Sequence, residues 1–252
     1  MNQKFKNIVL AVSLSFFGMN AQAQNTQTTE IQSVENQFSL NGIQQKIETA
    51  LGEAFTTKNG LPLENLEKQI IDNKQNTDWD LYWQSYLNFY QTIFYLQSGN
   101  KEKSAEYNRK SIDILQDKKD KNAEDYALLA NNLSLSFAFM KNPMEAMKID
   151  AELRENLQKG FRLQKENPRL HYVEGNYDTH MPKQYGGGKK AETSLLKAIS
   201  LAEPNQNSDH LPIWGKKEAY EQLLKWYLSE NQKDKYNDLL KKFRVEFPEK
   251  SK

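Results

Sequence analysis

The residues best suited to chemistry are three histidines, His171, His180 and His210, with Asp178 close to the second of them. Imidazole and carboxylate groups can bind a metal ion or transfer protons near neutral pH. Histidines that share a metal on one helix lie about three or four residues apart. His171 and His180 are nine residues apart, with predicted turn residues between them. We therefore expect no metal and no cofactor, and a histidine-based enzyme stays as an alternative.

A second candidate is the glycine-rich run Gly186–Gly188, which is followed by two lysines. A loop of this kind before a helix can hold a phosphate on main-chain amides. The run lacks the spacing of a phosphate-binding P-loop, and no predicted strand precedes it. The properties of glycine favour the alternative, a turn that lets two helices pack closely. No Ser/His/Asp set or paired-carboxylate motif stands out either, so we predict that the protein is not an enzyme.

The composition excludes several classes of function. The 252-residue chain has 34 basic and 33 acidic residues and a net charge of +1, so no overall field attracts nucleic acid. It has no cysteine, which rules out disulfides and thiolate chemistry. The mean hydropathy of −0.85 is low, but aromatic residues make up 11% of the chain and can fill a core. Helix packing must therefore supply the stability.

Residues 1–23 are typical of a secretory signal peptide. Two lysines precede the apolar run Ile8–Phe17, and Ala21–Ala23 forms a small-x-small cleavage site. The apolar run is too short to cross a membrane, which takes about 20 residues. We predict cleavage after Ala23, a polar disordered leader over 24–35, and no membrane insertion after cleavage, with an uncleaved anchor as the alternative. The mature protein is then expected in the periplasm or outside the cell.

A helical hairpin organises the rest of the chain. Tyr95–Leu115 is predicted to contain the end of one helix, a turn at Ser98–Asn100 and a second helix. The small residues Ser104 and Ser111 are placed where the two helices must approach closely. Periodicity and breakers predict further helices at Val34–Phe55, Leu61–Asn73, Asp78–Leu96, Ala123–Met140, Met144–Lys165, Arg169–Tyr177, Lys189–Leu201, Trp214–Leu228 and Lys233–Phe247.

The repeated hairpins resemble tetratricopeptide repeats, which are helix–turn–helix units of about 34 residues. A repeat that starts at Ser85 matches the pattern with Tyr95, Gly99, Ser104 and Ser111. A repeat that starts at Lys217 matches it with Tyr227, Asn231, Leu240, Phe243 and Pro248. The resemblance implies an all-α, right-handed α-solenoid of about four to five antiparallel helical hairpins over residues 36–250.

The stretch Asn167–Leu201 is more specific. Its Asn-Pro-Arg opening and its Gly-Gly loop resemble exported tetratricopeptide-like proteins of Gram-negative bacteria, including periplasmic repeat subunits of solute transporters. The chain departs from them with His180–Pro182, where a Thr-Pro pair is usual. The resemblance supports the fold and the compartment, and it implies little about a substrate.

We predict a non-enzymatic interaction module that binds a protein or peptide partner in a concave groove lined by first helices. The predicted groove residues are Tyr82, Tyr86, Phe89, Ile93, Gln97 and Asn132. The alternative for these aromatic residues is a role in the core between repeats, which is the more common one. The rival function is a solute-binding accessory of an envelope transport system, with a small-molecule ligand held by Tyr172, Tyr185, Gly186, Gly187 and Gly188.

Overall fold

The computed structural model describes residues 38–73, 78–202 and 210–248. Within these residues it has ten α-helices, a short 3-10 helix at Lys183–Tyr185 and no strand, which confirms the predicted all-α class. The helices are α1 Ile43–Thr57, α2 Leu61–Ile71, α3 Asp78–Gln97, α4 Lys101–Asp117, α5 Ala123–Ser136, α6 Pro143–Leu163, α7 Pro168–His180, α8 Ala191–Ser200, α9 Lys216–Ser229 and α10 Lys233–Glu246. None of them is long and apolar enough to cross a bilayer.

Contacts divide the described residues into two compact units. The first unit comprises 38–118 together with 210–211, and the second comprises 119–202 together with 212–248. The signal peptide and leader predicted over residues 1–35 lie outside the described residues. The prediction of one repeat domain over 36–250 stays a prediction.

In the first unit each helix packs on the next, and α1 also packs on α3. The predicted joint between α3 and α4 is confirmed. Gly99 adopts a φ of 80°, which favours glycine, and Asn100 caps α4 by accepting a hydrogen bond from the Lys103 amide at 3.1 Å. Ser104 and Ser111 are fully buried at the crossing, where Ser104 Oγ donates to the Thr92 carbonyl oxygen at 2.8 Å. Small side chains therefore allow the two helices to come close.

The second unit repeats this arrangement. Sequential helices from α5 to α10 pack on each other, and α7 also packs on both α5 and α9. At the crossing of α7 and α8, a Cβ on Gly175 would lie 2.6 Å from Leu195 Cγ, so only glycine fits there. Ala191, Leu195 and Ala198 form the apolar face of α8, and all three are fully buried. The Asn142 side chain caps α6, and Pro143 occupies its first turn.

Two predicted helix ends are wrong because a turn intervenes, and a third is wrong because the helix predicted to end at Tyr177 continues to His180. The first helix was expected to begin at Val34, which lies outside the described residues. The described residues 38–42 are not helical, and α1 begins at Ile43, because Gly42 directly before it adopts a left-handed φ of 65°. The helix expected to run to Met140 ends at Ser136, where the chain enters a turn before Pro143. Both differences lie where a turn interrupts a run of apolar residues that continues beyond the helix.

Candidate functional site

His171 and His180 do not lie side by side in the structure. His171 and His180 lie near opposite ends of α7, about 13.5 Å apart along its axis at 1.5 Å per residue. His171 Nε2 contacts the Lys165 carbonyl oxygen at 2.9 Å, and burial lowers its pKa. His210 belongs to the first unit, where its ring lies 6.1 Å from that of Trp79. Within the described residues, no three His, Asp or Glu side chains are arranged to hold a metal ion.

The glycine-rich loop forms a packed turn before α8, which is the alternative that the properties of glycine favoured. Asp178 Oδ2 accepts hydrogen bonds from the amides of Lys190 and Ala191 at 2.7 and 2.8 Å, so a carboxylate of the chain already occupies the start of α8. A Cβ on Gly187 would lie 1.8 Å from the Met181 carbonyl oxygen. Glycine is therefore required there for close packing.

Five of the six predicted groove residues lie in the interior. Tyr82, Tyr86, Phe89, Ile93 and Asn132 are at most 5% exposed. In α3 the Tyr82 and Tyr86 rings stack 6.4 Å apart, and the Tyr86 and Tyr90 hydroxyls form a hydrogen bond of 3.1 Å. The structure thus gives these residues the core role that the sequence left open, because α3 is apolar around most of its circumference. Gln97, the last residue of α3, is exposed.

The two tyrosines predicted to line a ligand pocket do not share one environment. Tyr172 is buried in α7 with its ring edge on Trp214, 6.0 Å between centroids, and burial raises its pKa strongly. Tyr185, in the 3-10 helix, is 63% exposed. Gly186–Gly188 form the turn after it. Tyr172 is therefore a buried packing residue, whereas Tyr185 lies at the surface.

The Asn167-Pro168-Arg169 opening of α7 has a structural role. Asn167 Oδ1 caps the helix by accepting hydrogen bonds from the amides of Arg169 and Leu170 at 2.9 and 3.1 Å. The fully buried Arg169 forms a two-point ion pair with Glu124 of α5: Nη2 donates to Oε1 at 2.8 Å, and Nε donates to Oε2. Arg169 Nη1 also donates to the Trp214 carbonyl oxygen at 3.2 Å. This buried pair joins α5, the start of α7 and the segment that leads into α9.

At the other end of α7, a cluster of polar side chains connects α7 to α9. We call Thr179, His180, Gln222 and Lys225 the α7–α9 cluster. Gln222 Nε2 donates to Thr179 Oγ1 at 2.8 Å, and Thr179 Oγ1 donates to the Asn176 carbonyl oxygen at 2.7 Å. Gln222 is buried, whereas the other three side chains are partly exposed. Hydrogen bonds thus connect Gln222 and Thr179 to the main chain of α7, and part of the cluster is open to solvent.

A hydrogen bond identifies which ring nitrogen of His180 carries the proton. Its Nδ1 lies 2.7 Å from the Asn176 carbonyl oxygen, which can only accept. Nδ1 therefore carries the proton, and Nε2 of the neutral ring has a lone pair. Burial, followed by the nearby positive charge of Lys225, lowers the pKa of His180. Both effects favour the neutral form of the ring.

Lys225 is desolvated as well. Burial lowers its pKa, and the negative charge of Glu221 offsets that effect only in part. Side chains with shifted pKa values occur more often at functional sites, which makes His180 and Lys225 candidates. The sequence indicated His180 but missed Gln222 and Lys225, because a hydrogen bond across 43 residues leaves no local signal. The only available sign was their spacing of three residues, which places them on one face of α9.

No family model, no curated protein and no solved structure matches this chain.

Proposed function

We propose that this chain is an exported, non-enzymatic interaction module of the tetratricopeptide type, which binds a protein or peptide partner on the face formed by successive first helices. The hairpins would be α1/α2, α3/α4, α5/α6, α7/α8 and α9/α10, stacked as a right-handed solenoid. The packing of first helices on each other supports this proposal, as α1 packs on α3, and α7 packs on both α5 and α9. In hairpin stacks such helices line the binding surface.

The observation that carries the proposal is the Gln222–Thr179 hydrogen bond of 2.8 Å, together with the partly exposed His180 and Lys225 beside it. This bond connects two successive first helices through polar side chains. An interior that served only stability would place apolar side chains there, because a desolvated imidazole and a desolvated ammonium both oppose folding. Such a fixed, partly open polar site suits recognition of a polar group on a partner.

Position-dependent photo-crosslinking tests this function. A photo-reactive amino acid would replace Lys225 in the full-length protein in its native cell. The matched control is Lys217, an exposed lysine on the same helix. We expect one reproducible protein adduct from position 225 and none from position 217. Equal adducts from both positions, or none from either, would contradict the proposed binding face.

A purified system then provides the quantitative test. A synthetic peptide that covers the crosslinked segment of the partner is titrated into the purified chain. We expect Lys217→Met to leave its affinity unchanged and Lys225→Met to weaken it about tenfold or more. Equal affinities for the two variants would show that the peptide binds elsewhere.

A further inference from the structure

A short piece of the segment between α8 and α9 lies against the start of α3. We call His210 and Leu211 the strap. They belong to the first unit, although the described residues on either side of them belong to the second. Trp83 Nε1 donates a hydrogen bond to the His210 carbonyl oxygen at 2.9 Å, and the His210 ring lies 6.1 Å from the Trp79 ring. The strap therefore contacts α3 from a position 127 residues further along the chain.

The strap lies on an aromatic face of α3. Trp79 and Trp83 are four residues apart and are therefore neighbours on one side of the helix. Trp83 is fully buried, and its ring meets the Tyr82 and Tyr86 rings edge-on at 5.0 and 5.3 Å. Trp79 is partly exposed. In the proposed function α3 is one of the first helices that line the binding surface, so the strap would occupy part of that surface.

The contacts of the strap are of a kind that any extended peptide can supply. The Trp83 indole binds a main-chain carbonyl oxygen, which every residue has, and the Trp79 ring contacts a flat side chain. Leu211 precedes Pro212, and a residue before proline favours an extended conformation over a helical one. Grooves lined by aromatic residues bind extended, proline-containing segments of other proteins. The strap is thus held on α3 as a peptide ligand would be.

Replacement of the strap by another segment would leave no buried polar group without a partner. A buried indole N–H needs an acceptor, and the strap supplies a main-chain carbonyl oxygen. An extended segment of another protein carries the same acceptor at every residue. The Trp83 donor would therefore stay paired, which avoids the penalty of a buried donor without an acceptor. The Trp79 ring would likewise exchange one flat ring for another.

We propose that the strap is an internal ligand of the first unit and that the partner displaces it with an extended segment of the same kind, which has a flat ring two residues before a proline. This inference rests on the proposed function, and it assigns the recognised part of the partner to proline-containing extended peptides. A strap that is closed about ten times as often as it is open lowers the apparent affinity of the partner about tenfold. The strap thus selects against ligands that bind the α3 face weakly.

Hydrogen exchange of the tryptophan indole groups tests whether the strap opens. The chain has four tryptophans, and ¹⁵N-tryptophan labelling gives one indole resonance for each in nuclear magnetic resonance spectra. The spectrum of Trp83→Phe identifies the Trp83 resonance. Protection is the exchange rate in an unstructured peptide divided by the rate in the protein. We expect about tenfold protection of the Trp83 indole, as for a strap that is closed ten times as often as it is open.

The main-chain amides of α3 provide the comparison in the same unaltered chain. The slowest of them should be protected at least about a hundred times more strongly than the Trp83 indole, because the strap opens without unfolding of the helix. Equal protection of the indole and these amides would overturn the inference, since the strap would then leave α3 only when the first unit unfolds.

A blocked tetrapeptide with the sequence of residues 210–213, His-Leu-Pro-Ile, tests whether the α3 face accepts a separate segment. It is titrated into the double variant His210→Gly/Leu211→Gly, which loses the side chains of the strap, and into the control Ile213→Gly, at an exposed position of the same segment. We expect the Trp79 and Trp83 resonances to move, with about tenfold tighter binding to the double variant. The peptide Gly-Leu-Pro-Ile, which lacks the ring, should bind more weakly.

The Trp226 resonance, from the second unit, is the internal control. Equal affinities of the double variant and the control, or movement of all four indole resonances alike, would overturn the inference. If the double variant does not fold, the exchange measurement on the unaltered chain decides the question.

The outcomes separate this inference from the proposed function. The tetrapeptide requires no protein partner, so its binding at α3 without any crosslinked partner would support the peptide-binding face and reject the interaction module. A partner peptide that binds the double variant about tenfold more tightly than the control would support both. A partner peptide with equal affinity for the two variants would support the module and overturn the role of the strap.

Discussion

Loss of one partner of the buried Arg169–Glu124 pair should destabilise the second unit strongly. Arg169 is fully buried, Glu124 is 9% exposed, and three hydrogen bonds of the guanidinium link α5, α7 and the Trp214 carbonyl. Among the described side chains, Asn167 is then the donor left to the Glu124 carboxylate in Arg169→Met, at 2.7 Å. Removing one partner of a buried pair costs about 3–5 kcal/mol, because the remaining charge stays buried without compensation.

Hydrogen exchange of the α5 and α7 amides measures this loss locally, which matters because a chain with two compact units need not unfold in one step. A loss of about 3 kcal/mol corresponds to exchange that is faster by about 160-fold. The matched control is Arg154→Met, which removes an exposed pair with Asp150 on α6. That pair should contribute at most about 1 kcal/mol.

The double variant Glu124→Leu/Arg169→Met distinguishes a buried ion pair from simple packing. Apolar residues of similar volume often replace a buried pair at little cost. The double variant should therefore lose less stability than the sum of its single variants, by about 2 kcal/mol or more. Additive losses, or an Arg169→Met loss no greater than that of Arg154→Met, would refute the reasoning.

Three further predictions concern a turn, the histidines and the mature end of the chain. Gly187→Ala should destabilise the second unit in urea unfolding, because its Cβ would lie 1.8 Å from a main-chain carbonyl oxygen. The control Gly52→Ala lies in α1, where a Cβ would meet nothing within 4 Å, and it should stabilise the first unit by about 0.5–1 kcal/mol. Burial lowers the pKa values of His171 and His180, so the unfolded chain binds more protons. Stability should therefore fall from about pH 7.5 to about pH 5.5, less steeply in His180→Gln, and a flat profile would contradict this. N-terminal sequencing of the exported protein should begin at Gln24, and a retained first methionine would contradict cleavage.

Local chemistry explains why the hairpin joints could be predicted. Gly99, Asn100 and Pro143 act within one turn of their own position, as a left-handed turn, a cap and a first-turn proline. At these positions the helix bounds predicted from the sequence agree closely with those in the structure. Bounds were missed at Gly42 and Ser136, because apolar periodicity continues past the residue where the helix ends.

The site was harder to predict for a different reason. Periodicity shows which face of a helix is apolar, but it does not show which neighbour covers that face. By sequence Tyr86 and Phe89 fit either an exposed groove or, more commonly, a packed core, and the fold puts them in the interior. His180 was a candidate because of its residue type, whereas nothing in the sequence distinguished Lys225 from the other lysines.

The sequence by itself determined that the chain is helical, where its hairpins turn and which small residues lie at their crossings. These properties depend on residues within a few positions of each other. Only the tertiary structure decided that Arg169 meets Glu124 across 45 residues and that Thr179 meets Gln222 across 43. Whether a charge is buried, and which residue is its partner, depends on which helix surfaces pack together. That packing involves residues far apart in the chain, so local sequence patterns do not reveal it.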